Sequence, residues 1–156
     1  MNLTYSTLHH LQVGRIGEYW VKLMLTMSGL DTYYSDVDNK AIDFVVRLDD
    51  ARHIDIQVKT VRSKTGYVFI SKDSWPDITR SNLYMALVLL KDNSYPEAYL
   101  IPASAWLEET SLLKNRQYEA NGKLSKDEWG INISNKTMQL LKLYSFLDQV
   151  ELIKSS

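Results

Sequence analysis

Residues 40–60 read KAIDFVVRLDDARHIDIQVKT, and this stretch restricts the possible folds more than any other. It predicts two adjacent strands joined by a tight connection at Asp49-Asp50. The first strand carries one carboxylate, Asp43, within the apolar run Ile42, Phe44, Val45 and Val46. The second, over 53–60, alternates with a period of two. His53, Asp55, Gln57 and Lys59 fall on one face, and Ile54, Ile56 and Val58 on the other. A sheet interior favours Val or Ile, so an acid, an amide and a lysine placed beside Asp43 cost stability. Such a cost suggests a task for the residues that impose it.

The surrounding sequence predicts the frame. Residues 7–28 form a helix with Thr7 as its cap and Gly29 as its stop. Its apolar arc includes Val13, Ile16, Trp20, Val21, Leu23, Met24, Leu25 and Met27, wide enough to predict cover on more than one side. Glu18 stands at the border of that arc. A short strand is expected around Tyr33-Tyr34, and a turn over 36–40. Further strands are expected at Tyr67–Ser71, Leu83–Leu90 and 98–101, the last two joined by a hairpin through Asp92-Asn93-Ser94 and Pro96. A short helix begins near Pro102. Residues 114–130 are polar and without periodicity, with a turn at Asn121-Gly122. A last helix over 134–146 has Ser134 as cap and Met138, Leu141 and Leu147 inward. The order implies one α/β domain over 1–156 with a central mixed sheet.

Composition narrows the function classes. With 18 Lys+Arg against 19 Asp+Glu, the net charge of −1 excludes a broadly basic nucleic-acid binder but not a locally basic groove. Cysteine is absent, which excludes disulfides and thiolate metal sites. No signal-like segment or long apolar run is present, so a soluble cytoplasmic protein is expected.

Phosphodiester hydrolysis assisted by a divalent ion requires hard oxygen ligands converging on one point and a cation near the attacking water or scissile phosphate. Asp43, the Gln57 side-chain carbonyl, the Val58 backbone carbonyl and Glu18 are the candidate ligands for Mg²⁺ or Mn²⁺. Lys59, two residues beyond Gln57 on the same face, is the candidate cation. The reading requires Asp43 and Lys59 to share a face of the sheet. Arg15, Lys22, Arg62, Lys64 and Lys72 are candidate phosphate contacts, and DNA is the expected partner. Duller roles exist for each residue. Asp43 can be a strand-start acid bonded to a turn, and Asp55 with Lys59 an exposed pair. Tyr67, Phe69 and Trp75 can pack rather than stack on bases. His9, His10 and His53 have no ligand spacing.

Gly14-Arg15-Ile16-Gly17-Glu18, Ile42-Asp43-Phe44-Val45-Val46 and Ile56-Gln57-Val58-Lys59-Thr60, followed by Tyr99-Leu100-Ile101-Pro102-Ala103-Ser104, together resemble the PD-(D/E)xK nuclease superfamily. The likeness is to its bacterial uncharacterised domains, and it spans roughly residues 10–105. It implies a restriction-endonuclease-like core and a metal-dependent endonuclease whose catalytic set, carried over by position, is Glu18, Asp43, Gln57 and Lys59. A homodimer is compatible with it. Gln57 departs from the pattern, which has Asp or Glu there. Glu18 or Asp55 can supply the missing charge; alternatively, the scaffold no longer cuts and binds nucleic acid or a protein instead.

Overall fold

The computed structural model describes residues 2–36 and 41–156, so the turn expected over 36–40 lies mostly outside the described residues. Five strands form the larger sheet in the order β1-β2-β3-β5-β6: β1 (Asp31–Tyr34), β2 (Phe44–Arg47), β3 (His53–Arg62), β5 (Leu83–Leu90) and β6 (Glu97–Pro102). β3 and β5 run parallel, and every other pair in this sheet is antiparallel. The result is an α/β fold with a central mixed sheet flanked by helices. No helix among the described residues is long and apolar enough to cross a membrane.

Alternation assigns the two faces. Phe44, Val46, Ile54, Ile56, Val58, Ala86, Val88 and Leu100 meet α1 (His10–Met27) through Val13, Val21 and Leu25, and α3 (Phe146–Ser155) through Phe146, Val150 and Ile153. On the other face, Met85, Leu87, Tyr99 and Ile101 pack against Ile70, Trp75, Trp106, Leu113, Ile131 and Leu141. Trp75 is 1% exposed and meets Trp106 edge-on at 6.0 Å, so it is a core residue.

That second layer holds the main departure from the sequence reading. A three-stranded antiparallel sheet, in the order β4-β8-β7, combines β4 (Tyr67–Ser71) with β8 (Glu128–Asn132) and β7 (Leu113–Arg116). Two of its strands lie at the start and across the end of the polar stretch, residues 114–130, expected to be irregular. Their inward residues are few, and Gly130 carries no side chain because the Tyr67 ring occupies that space: a Cβ there would lie 2.2 Å from the Tyr67 hydroxyl oxygen. The Tyr67 hydroxyl donates to Glu128 at 2.8 Å, and burial, reinforced by that carboxylate, pushes its pKa up.

The helices also differ from expectation. α1 is capped by His9, whose ring accepts from the Leu11 amide while Gln12 Oε1 accepts from the His9 amide; Thr7 lies outside. The sheet covers one side of α1 only, so Leu23 and Met27 remain 48% and 77% exposed. Gly29 follows the C-cap with φ of 79°, as expected of a helix stop. The last helix divides into α2 (Met138–Lys142) and α3, because the Tyr144 carbonyl accepts the Leu100 amide at the β6 edge. Ser134 caps neither. Leu141 is buried, whereas Leu147 points to solvent at 51% exposure.

α1 approaches β3 at a contact that admits only glycine. A Cβ on Gly17 would stand 1.7 Å from Thr60 Oγ1, whereas one on Gly14 would meet nothing within 4 Å. We therefore expect Gly17→Ala to destabilise the fold by about 1–3 kcal/mol through forced displacement of α1. Gly14→Ala, at an unobstructed interior helix position, should stabilise by about 0.5–1 kcal/mol. Thermal or urea melts of the two variants decide this; equal shifts would refute the contact.

Candidate active site

β2 and β3 diverge at the point where the chemistry collects. Their pairing runs from Arg47↔His53 to Phe44↔Ile56, and the Asp43 amide adds one more bond, to the Ile56 carbonyl at 2.8 Å. In such a ladder, residues that exchange bonds with a given neighbour alternate along the strand. After Ile56, the next residue of β3 whose amide and carbonyl face β2 is Val58. Side chains satisfy both groups. The Val58 amide donates to Asp43 Oδ2 at 2.7 Å, and its carbonyl accepts from Gln57 Nε2 at 3.3 Å.

Asp43 and Gln57 thus both bond to the Val58 backbone. Gln57 and Lys59 share the face opposite the α1–α3 core, whereas Asp43 precedes β2 and bonds to Ile56 out of the Phe44↔Ile56 register, so alternation does not assign its face. Lys59 is half-buried and, among the described residues, its side chain has neither a hydrogen bond nor an ion pair. The Gln57 amide is held by its nitrogen, which leaves its Oε1 buried without a partner. An acceptor in that state costs about 1–3 kcal/mol. A divalent cation is one group that satisfies it, and the oxygen donors here are of the hard type that Mg²⁺ and Mn²⁺ take. Against this, no group of three His, Cys, Asp or Glu side chains converges among the described residues. A bound ion would be held by amide and carbonyl oxygens as well as by carboxylates.

Glu18 stands on the other side of the sheet. Gly17 rests on Thr60, and Lys22, one turn beyond Glu18 on the same side of α1, places its ammonium 4.5 Å from the centre of the Tyr34 ring. That ring lies 5.1 Å from Phe44, the residue next to Asp43. Glu18 is partly buried on α1. Its carboxylate accepts from Arg15 at 3.1 Å.

The remaining candidates disperse. Asp55 is buried and pairs with Arg80, a partner that no spacing in the sequence reveals, so it is committed away from Lys59. Arg15 lies over the Tyr19 ring at 6.0 Å, and Lys72 over the Trp129 ring at 4.3 Å on the small sheet, where it also bonds to Asn115. Arg62 and Lys64 lie at the far end of β3, Arg62 donating to the carbonyls of Tyr5 and Ser6. The five basic residues do not line one groove. His53 is exposed at the strand start, 3.4 Å from Asn82, and His9 serves as a helix cap.

No family model and no curated protein matches the chain. Among solved structures it is similar to the Holliday junction resolvase Hjc of Archaeoglobus fulgidus, at 13% identity and a TM-score of 0.47, covering 76% of this chain and 83% of that one.

Removing the Asp43 carboxylate strands the Val58 amide at the edge. Asp43→Ala should lower stability by about 1–2 kcal/mol in metal-free buffer. If Asp43 holds a metal ion, Mn²⁺ at about 100 times its Kd stabilises the wild type by about 2.7 kcal/mol. The variant should gain nothing. Thermal melts with and without Mn²⁺ read both effects; a variant stabilised as much as the wild type would exclude Asp43 as a ligand.

Proposed function

We propose that the protein is a divalent-metal-dependent nuclease acting on DNA, with Asp43, Gln57, the Val58 carbonyl and Glu18 holding Mg²⁺ or Mn²⁺. The observation that carries this is the buried, partnerless Oε1 of Gln57, placed beside a carboxylate that already touches the next residue of the strand. Gln57 Nε2 now binds the Val58 carbonyl; a half-turn of the amide would offer Oε1 and free that carbonyl together. The ion, when bound, supplies Lewis acidity toward a phosphate oxygen and lowers the pKa of a bound water.

The chain's own residues perform the rest. Asp43 is fixed by the Val58 amide, so its carboxylate is preorganised rather than ordered upon binding. Lys59, on the face of Gln57 and without an ion pair among the described residues, is available to stabilise the charge that develops on the phosphate. The resemblance of the three motifs to PD-(D/E)xK nucleases supports the same assignment, and the restriction-endonuclease-like core follows from it as part of this reading. Gln57 replaces an acid, so the site carries less negative charge than that pattern provides.

A second reading keeps the scaffold without the chemistry, as a module that binds nucleic acid or a protein. The absence of a three-residue acidic or histidine cluster among the described residues favours it. Incubation with plasmid, single-stranded and branched DNA in Mn²⁺ separates the two. Under the nuclease reading, Asp43→Ala and Lys59→Ala each reduce cleavage by about 10²-fold or more. Gln57→Glu tightens Mn²⁺ binding in calorimetry, by about tenfold for each 1.4 kcal/mol its added charge contributes. Cleavage unaltered in both alanine variants, or no heat at millimolar Mn²⁺, would remove the enzyme reading.

A further inference from the structure

β3 and β5, the two parallel strands, end side by side, and their ends form a basic basin. Arg62 pairs with Leu90, and the Ser63 amide donates to the Leu90 carbonyl at 2.9 Å. Each strand then turns sharply. The Thr65 amide closes one turn onto the Arg62 carbonyl at 2.9 Å, and the Ser94 amide closes the other onto the Lys91 carbonyl at 3.2 Å. Between the turns lies a concavity of about 640 Å³ that holds Lys64 and Lys91 at its rims and the hydroxyls of Ser63 and Thr65 beside them.

The floor is built, not incidental. Arg62 Nη1 donates to the carbonyls of Tyr5 at 3.3 Å and Ser6 at 2.9 Å, while Asp92 Oδ1 accepts the amides of the same two residues at 2.7 and 3.1 Å. The Tyr5 hydroxyl adds a bond to the Ser94 carbonyl at 2.8 Å. The segment before α1 is therefore clamped across the two strand ends. The clamp uses one nitrogen of the Arg62 guanidinium and leaves the rest of its donors for a ligand. It also consumes the single acid of the basin. Hydrogen bonds from Ser6 and then Tyr5, helped by nearby Lys64, hold the Asp92 carboxyl below the usual carboxylate range. Three cations face that one engaged carboxylate, at the carboxyl ends of parallel strands where open α/β sheets take ligands.

We propose that this basin is a phosphate-binding site, with Lys64, Lys91 and the free edge of the Arg62 guanidinium as its cationic contacts. A rigid guanidinium fork beside two exposed ammonium groups suits a tetrahedral, multiply charged oxyanion. The phosphate belongs either to a nucleic-acid backbone or to a small soluble phosphate. The site does not depend on DNA cleavage. Arg62 lies three residues beyond Lys59, about 10 Å along the strand, and on the opposite face of the sheet.

Two probes on the full chain test the proposal: pyrophosphate, followed by amide shifts in NMR, and a fluorescent DNA duplex, followed by anisotropy in Ca²⁺. The test variant is Lys64→Ala with Lys91→Ala; Arg62 is left intact because it anchors the clamp, and an unchanged melting temperature verifies the fold. We expect pyrophosphate to shift the amides of 63–65 and 91–92 in the wild type and not in the variant. A duplex bound here loses about tenfold in affinity in the variant, and the slope of log K against log salt falls by about 1–2. A pyrophosphate response with unchanged duplex binding assigns the site to small phosphates; a response to both assigns it to nucleic acid. Succinate matching pyrophosphate, or neither probe depending on the two lysines, overturns the proposal. Loss of cleavage in Asp43→Ala leaves every one of these readouts in place.

Discussion

Everything distinctive in this molecule follows from β2 and β3 separating after Ile56. A strand edge inside a sheet must find partners for its amides and carbonyls, since leaving them bare costs more than most side-chain contacts return. Here the first edge pair beyond the separation, on Val58, is taken by Asp43 and Gln57. The carboxylate and the amide are thus held in place by the backbone they cap. Under the nuclease proposal, structure and chemistry draw on the same two residues; Gln57 Oε1 is among the buried polar atoms left without a partner among the described residues.

α1 fixes the other side of the same edge. Because Gly17 lies directly on Thr60, the helix approaches β3 more closely than any side chain would permit. The exposed apolar residues Leu23 and Met27 show that the helix is held by a narrow stripe, Val13, Gly17, Val21 and Leu25, rather than by enclosure. Breadth of the apolar arc was a poor guide to cover, because Leu and Met on the outer side of α1 face water singly, which a soluble surface tolerates.

The opposite face shows a different economy. Its outer layer is a small sheet whose strands are short and polar outward, and the large sheet supplies much of their apolar contact. Trp75, Trp106 and Ile131 fill the space between the layers, and the indole nitrogen of Trp106 donates to the Gly130 carbonyl at 2.9 Å. Strands such as LKNR and EWGIN carry almost no period of their own, so they become strands only when a partner and a core face are present. The break between α2 and α3 has the same origin, since Tyr144 leaves helical geometry to meet the edge of β6.

The local pattern by itself determined β3, β4, β5 and their neighbours, α1 with its glycine stop, and the common face of Gln57 and Lys59. Those features depend on periods of two and of about 3.6, which are written residue by residue. It also singled out Asp43, because an acid in an apolar strand is visible without coordinates. Only the tertiary structure decided that Asp43 grips Val58, that Asp55 is committed to Arg80, that the basic residues scatter, and that Arg62, Lys64 and Lys91 gather where two parallel strands end. Each of these joins residues distant in the chain, where chain order sets no spacing. Strand pairing and helix packing bring them together, and the need to satisfy every buried polar group selects their partners.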